Sequence, residues 1–110
     1  MNALRNKVQL IGNVGNAPEV LSFESGKKMA RFSIATNETY KNNQGEKITD
    51  TQWHNVVAWG KTAEFIENYV PKGQEIGVEG KLTNRTYDDK DGITRYVTEV
   101  LCSDILLLGK

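Results

Sequence analysis

The sequence predicts an all-β fold with one helix. Short β-like runs dominate the chain, one segment alone has a convincing helical period, and the turns between the runs are local. Five runs are interpreted as strands, and the helix falls between the third and the fourth. Short spacing with local turns favours a small barrel over a βαβ sheet. This order matches the plan of the OB-fold, a partly open five-stranded Greek-key barrel.

The first strand is predicted within KVQLIGNVG at 7–15, and VLSFE at 20–24 either continues it or flanks it. The helix is predicted from TAEFIENYV, with Thr62 as its cap. Its apolar stripe comprises Ala63, Ile66, Tyr69 and Val70. The other strands are predicted within 28–38, 51–59, 75–87 and 94–108. DDKDG at 88–92 has the composition of a hairpin turn between the last two.

A chain of 110 residues suits one compact domain, which we expect to span 1–110. The 14 basic and 14 acidic residues cancel, which argues against a purely electrostatic nucleic-acid binder. The single cysteine, Cys102, excludes an internal disulfide framework and a cysteine-based metal site. The sequence has no apolar run long enough to predict a signal peptide or a membrane span. We therefore expect a cytoplasmic protein without cofactor, metal or membrane partner.

Both tryptophans lie in TQWHNVVAWGK at 51–61, which reads as a strand. Alternation places Trp53 and Trp59 on one face, with His54 on the other. If the opposite face supplies the core, both indoles lie outside; otherwise both are buried and His54 is exposed. In 75–87 the expected inward set is Ile76, Val78, Gly80 and Leu82, and the outward set is Glu79, Lys81, Thr83, Arg85 and Tyr87.

Exposed aromatic rings interleaved with lysine and arginine are typical of proteins that bind single-stranded nucleic acid. Every base has a π-face, and each stack on an aromatic ring contributes roughly 1–3 kcal/mol. An electrically neutral protein can bind a polyanion in this way. Spacing alone leaves open the alternative that the tryptophans fill an ordinary core or an interface.

Several blocks resemble the bacterial single-stranded DNA-binding protein family, in that family's order and spacing. They are NKVQLIGNVGNAPEV, ARFSIATNETY, TQWHNVVAWGKTAEF, YVPKGQEIGVEGKL and NRTYDDKDGITRYVTEV. The resemblance runs from about Asn6 to Leu108. It implies an OB-fold, a homotetramer, and binding of single-stranded DNA without sequence choice in replication, recombination and repair, near the nucleoid.

The resemblance also implies roles for individual residues. The expected stacking rings are Tyr40, Trp53, Trp59 and Tyr87, where Tyr40 and Tyr87 replace tryptophans usual in the family. The matching cations are Lys61, Lys72 and Arg85, and strand parity adds Lys81 and Arg31. As the only histidine, His54 cannot form a multi-histidine metal site, and the resemblance places it at a subunit contact. Lys7 and Glu79 are expected at that contact too.

The family's flexible linker and acidic tip, which recruit replication and repair proteins, have no counterpart in the sequence, which ends at LLLGK. Two alternatives follow: the chain is a naturally tail-less member, or it is a shortened form of a longer one. Replication and repair proteins stay as candidate partners, without the tail that usually recruits them. Three rival functions remain. The cluster of Asp88, Asp89 and Asp91 fits a metal-dependent nuclease less well than a turn. The others are a primosomal-type OB-fold adaptor acting through protein partners and a pure protein-interaction barrel. RNA is an alternative ligand.

Overall fold

A computed structural model describes residues 3–109 and contains two long antiparallel hairpins wrapped into a barrel. A 3₁₀ turn over Ala3–Asn6 precedes the first strand. The strands are β1 (Val8–Val14), β2 (Glu19–Ser22), β3 (Lys28–Lys41), β4 (Lys47–Trp59), β5 (Glu75–Asp88) and β6 (Thr94–Leu108). The helix, α1, spans Gly60–Tyr69.

The sheet has the order β1-β5-β6-β4-β3-β2, and a further pairing of β1 with β3 closes five strands into a barrel. All pairings are antiparallel except the short parallel contact of β4 with β6. The prediction of a five-stranded barrel with one helix is therefore confirmed, and the β1–β3 pairing closes it. One detail differs, because Glu19–Ser22 forms a separate strand, β2, paired with the start of β3. The helix consequently follows the fourth strand of the chain rather than the third.

The barrel interior is filled by alternate side chains of the strands and by one face of α1. The largest fully buried side chains are Ile34, Val56, Ile66 and Ile76. Two details of the predicted helix are wrong. Tyr69 is 60% exposed and packs its ring on Phe65, with the two centroids 5.1 Å apart. Thr62 is not the cap, because the helix begins at Gly60, whose positive φ of 62° turns the chain directly from β4 into α1.

Two glycines allow the strands to approach closely where the barrel curves. A Cβ atom at Gly12 would lie 2.1 Å from the carbonyl oxygen of Ala35, and one at Gly80 would lie 2.1 Å from that of Leu101. The β5–β6 register also shifts between Glu79 and Gly80. Both sites therefore exclude any larger residue for reasons of backbone packing.

Leu82 is 46% exposed, although alternation predicts that it points inward. Pairing of β1 with β5 ends at Val8 and Gly80, so no strand covers Leu82 on that side. The side chain of Asn6 lies there instead. Its Nδ2 donates to the Leu82 carbonyl oxygen at 3.0 Å, and its Oδ1 accepts from the Leu82 N–H at 2.9 Å.

No helix in the range 3–109 combines the length and apolar character needed to cross a bilayer.

Candidate nucleic-acid interface

The two tryptophans lie on the outside of the barrel. Trp53 is 62% exposed and Trp59 is 44% exposed, whereas Val56 and Ala58 on the other face of β4 are buried. Of the two alternatives that the sequence left open, the structure selects the outward one. Bulges would have reversed this alternation, but the pairing of β3 with β4 is uninterrupted from Met29–Trp59 to Lys41–Lys47.

A groove runs across the outer face of β3, β4, β6 and β5 beside these rings. Its central cavity of about 650 Å³ lies between the Arg31 region of β3 and the Arg85–Tyr87 region of β5. A second cavity of about 440 Å³ continues from the two arginines to Trp59. A third, also of about 440 Å³, carries on from Trp59 to Lys81. We call this continuous depression the groove.

Trp53 is seated on the chain segment that follows β1. A Cβ atom at Gly15 would lie 2.2 Å from Cζ3 of Trp53, so the indole rests directly on the glycine backbone. Asn16 holds this segment against β3, because its Oδ1 accepts from the Ser33 N–H at 3.0 Å and from the Ser33 hydroxyl at 2.8 Å. The GNVGN sequence therefore provides a fixed platform for one ring.

Trp59 stacks on Phe23, a residue that sequence reasoning missed. The two ring centroids are 5.9 Å apart with an interplanar angle of 24°, and Phe23 is 45% exposed. The observed strand pairing explains the contact, because Leu21 pairs with Met29 and Met29 pairs with Trp59. Phe23 is two residues beyond Leu21 and so lies on the same side of the sheet. The pair forms a broader apolar surface than either ring alone.

Arg85 and Tyr87 lie on the opposite wall of the groove. Arg85 donates from Nε to Oε1 of Glu99 at 3.0 Å and from Nη2 to Oε2 at 3.2 Å. Its Cζ lies 5.8 Å from the centroid of the Tyr87 ring, within the range of a cation–π contact. The hydrogen bonds and charge of Glu99 raise the pKa of Arg85. Arg31 is likewise paired, with Nη2 2.6 Å from Oε1 of Glu19.

Three lysines lie around the groove with exposed side chains. Lys61 is in the first turn of α1, two residues after Trp59, and Lys81 lines the cavity beyond that ring. The Gly73 N–H donates to the Val14 carbonyl at 2.8 Å, which holds neighbouring Lys72 beside the Gly15 platform. No carboxylate within residues 3–109 forms an ion pair with Lys61, Lys72 or Lys81.

Tyr40 is not brought together with the other rings. It pairs with Ile48 near the tip of the β3–β4 hairpin and is 54% exposed. Because the register is regular, alternation puts Tyr40 on the side of His54 rather than on that of Trp53. The structure therefore groups Trp53, Trp59 and Tyr87 along the groove and leaves Tyr40 on the projecting hairpin.

The three residues expected at a subunit contact lie away from the groove or at its end. His54 is half-buried, with Nε2 3.0 Å from the Thr36 hydroxyl. Lys7 Nζ lies 3.2 Å from Oε2 of Glu79, which also accepts from Gln9 Nε2 at 2.9 Å. The Gln9 hydrogen bond and then the Lys7 interactions lower the pKa of Glu79.

The aspartate cluster organises a turn. Oδ1 of Asp89 accepts from the N–H groups of Asp91 and Ile93 at 2.9 and 3.0 Å, and Oδ2 pairs with Arg95 at 2.8 Å. These bonds lower the pKa of Asp89, with the Arg95 hydrogen bond the largest cause. Over the described ranges, no group of three histidine, cysteine or acidic side chains is arranged to hold a metal ion. The groove itself supplies aromatic rings and cations, which are suited to binding a nucleic-acid strand.

Known proteins are similar to this chain in sequence and in fold. The Single-stranded DNA-binding protein 1 of Chlorobaculum tepidum is 43% identical over 105 residues, which cover 94% of this chain and 65% of the relative. The protein of the same name from Xylella fastidiosa is 41% identical over 106 residues, covering 96% of the chain and 78% of the relative. The chain thus spans less than two thirds of the Chlorobaculum tepidum protein.

The solved structure of a Plasmodium falciparum SSB complex with ssDNA has a TM-score of 0.87 and 33% identity. The similarity covers 94% of this chain and 95% of that one, and it confirms the fold. Residues 5–108 match the single-strand binding protein family. With this match over nearly the whole chain, the protein belongs to the single-strand binding protein family.

Proposed function

We propose that this protein binds single-stranded DNA without sequence preference and keeps the strand from re-pairing and from nucleases. The role is non-catalytic and serves replication, recombination and repair in the cytoplasm, close to the nucleoid. The observation that carries the proposal is the pair of exposed indoles, Trp53 and Trp59, beside one continuous groove. The relatives described above, named as single-stranded DNA-binding proteins, support it.

Base stacking is the main source of affinity in this proposal. Bases stack on Trp53, Trp59 and Tyr87, and each stack contributes roughly 1–3 kcal/mol irrespective of base identity. Lys61, Lys72 and Lys81 follow the phosphates as mobile point charges. A neutral chain with 14 basic and 14 acidic residues is suited to this division, since few charges need to face the strand.

Two further groups of residues have secondary parts in the proposal. Arg85 presents its guanidinium plane next to Tyr87, and Arg31 lies on the facing wall. Tyr40 contacts the strand where it leaves the groove along the β3–β4 hairpin. Because Tyr40 lies on the other side of that hairpin, we expect its replacement to affect long oligonucleotides more than short ones.

We propose a homotetramer as the working assembly. Ile11 and Leu106 are each 63% exposed and lie on either side of Gly77 on the outer face of β1, β5 and β6. Exposed apolar patches of this kind are suited to contacts between subunits. His54, Lys7 and Glu79 are placed by the proposal at subunit contacts. Linked grooves would then raise affinity through effective concentration.

The first test is a titration with oligo(dT), following tryptophan emission at two salt concentrations. We expect strong quenching that mostly persists at the higher salt, because stacking is insensitive to ions. Trp53→Ala should weaken binding by roughly 1–3 kcal/mol, with little dependence on base sequence. Tyr96→Ala is the matched control, since Tyr96 is 83% exposed and lies on the other side of β6 from the groove.

Each other outcome would point to a rival function. Binding without quenching would leave a groove driven by charge, and no binding at low salt would favour the primosomal-type adaptor or a protein-interaction barrel. Loss of the oligonucleotide on adding magnesium would revive the nuclease. Equal affinity for oligo(U) would extend the ligand to RNA, because stacking does not distinguish the two sugars.

A further inference from the structure

The centre of the groove is electrically neutral, although it contains two arginines. The same cavity is lined by Arg31, Arg85, Glu19 and Glu99, so its formal charges cancel. Each arginine is already paired, Arg31 with Glu19 at 2.6 Å and Arg85 with both oxygens of Glu99. A groove that binds DNA through its phosphates would be expected to leave its arginines free.

Of the two groove carboxylates, Glu19 and Glu99, Glu99 is the more deeply buried. Its side chain is only 10% exposed, while that of Arg85 is 48% exposed. Within the described part of the chain, Glu99 is the one buried charged residue. A phosphate that drew Arg85 away would leave a desolvated carboxylate without its partner, which is strongly unfavourable. Arg85 therefore stays with Glu99 and offers the strand its flat face beside Tyr87, not its charge.

We infer that Glu99, assisted by Glu19, is a specificity-determining residue: by cancelling the groove arginines it restricts tight binding to strands whose bases can stack. A polyanion that offers no exposed bases, such as inorganic polyphosphate or a DNA duplex, gains neither stacking nor a free arginine there. Such a polyanion is attracted only by the lysines around the groove, Lys61, Lys72 and Lys81. This inference rests on the proposed function, because it assigns the selectivity of that same groove.

The test is Glu99→Gln, which keeps the shape and one acceptor oxygen but removes the charge. Glu64→Gln is the matched control, because Glu64 is exposed on α1 and does not line the groove. Two quantities are measured in each protein: the slope of log K against log salt for oligo(dT), and the concentration of polyphosphate that displaces oligo(dT). Direct binding of polyphosphate by calorimetry provides a reading that needs no oligonucleotide.

In Glu99→Gln we expect the salt slope to steepen by about 0.7, the value for one additional phosphate contact on a single strand. Polyphosphate should compete about tenfold better, as one new charge-assisted hydrogen bond allows. Glu64→Gln should match the unsubstituted protein in both. The inference is overturned if the slope and the competition do not change, or if oligo(dT) binding is lost while polyphosphate binding stays weak.

Glu19→Gln provides a second variant if Glu99→Gln does not fold. The Glu19 side chain is 56% exposed, so its replacement should be tolerated, and it should shift both measurements in the same direction by a smaller amount. The inference and the proposed function fail differently. Absence of oligo(dT) binding in the unsubstituted protein refutes the function. Unchanged polyphosphate binding in both variants, with oligo(dT) binding intact, refutes only the role of the carboxylates.

Discussion

Adding one methyl group at Gly15 should move the Trp53 indole without unfolding the barrel. The new Cβ atom would lie 2.2 Å from Cζ3 and 2.9 Å from Cη2 of Trp53. Ordinary contact begins near 3.4 Å, so the ring must retreat from 2.2 to 3.4 Å, by about 1.2 Å. Most of the movement falls on the tip of an exposed side chain, and the Ser33 hydroxyl oxygen, 3.1 Å from the new Cβ atom, must give by a few tenths of an ångström. Gly15 does not have a positive φ, so alanine meets no backbone strain there.

The expected effects on stability and on binding therefore differ. The free energy of unfolding should change by less than about 1 kcal/mol, since the displaced groups are an exposed ring and, slightly, the Ser33 hydroxyl, and alanine stiffens the unfolded chain. Affinity for oligo(dT) should fall by up to the full stack, roughly 1–3 kcal/mol. That range corresponds to a weakening of about 5- to 150-fold.

The assay follows oligo(dT) quenching in a Trp59→Phe background, where Trp53 is the remaining tryptophan of the two. Glu64→Ala is the matched control, because Glu64 is exposed on α1 and does not line the groove. Urea unfolding of both variants measures stability. Affinity and Trp53 quenching in Gly15→Ala equal to those of Glu64→Ala would refute the idea that the glycine positions the ring for stacking.

Three further predictions concern other parts of the molecule. Phe23→Ala should lower the free energy of unfolding by about 0.5–1.5 kcal/mol, the contribution of an aromatic pair, weaken oligo(dT) binding because Trp59 loses the ring beside it, and shift Trp59 emission to the red in a Trp53→Phe background; unchanged emission would mean that the two rings do not stack in solution. Lys61→Gln should make the salt slope shallower by about 0.7 and leave quenching at saturation intact, whereas a loss of quenching would place Lys61 in ring positioning instead. Burial raises the pKa of Cys102 from 9.0 to about 11, so alkylation of the folded protein at pH 8 should be slow and that of the urea-unfolded chain fast. The neutral thiol stabilises the fold below pH 9, and this contribution should be lost as the pH rises towards 11; rapid alkylation of the folded protein at pH 8 would contradict the burial.

The barrel was predictable because inward positions of its strands recur at every second residue, even though β4 also buries Val57 between Val56 and Ala58. Val56 and Ala58 indicate the inward face of β4, and the indoles then follow on the outside. The pairing partners were not predictable in the same way. Which carboxylate meets Arg85 depends on the register of the β5–β6 hairpin, in which Arg85 lies opposite Val97 and its side chain reaches Glu99 two residues further along β6. No local pattern in the sequence shows that diagonal contact.

The position of Tyr40 illustrates a second limit of the sequence. The family resemblance groups Tyr40 with the stacking rings. The uninterrupted β3–β4 register, however, places Tyr40 on the side of the hairpin opposite Trp53 and Trp59. Phe23 illustrates the converse. The sequence left its segment VLSFE either continuing or flanking the first strand, and only the pairing of β2, β3 and β4 brings Phe23 to Trp59. Long-range register therefore decides the membership of the site, while local composition decides the elements that carry it.

The paired hydrogen bonds of Asn6 have a consequence for solubility. Beyond Gly80, β5 has lost β1 as a neighbour, and its backbone would otherwise present an open donor and acceptor at Leu82. Exposed strand edges of this kind invite pairing with strands of other molecules. By occupying both groups with one side chain, Asn6 blocks that edge next to an exposed leucine. Asn6 thus prevents edge-to-edge aggregation of the barrel at the position where pairing of β1 with β5 ends.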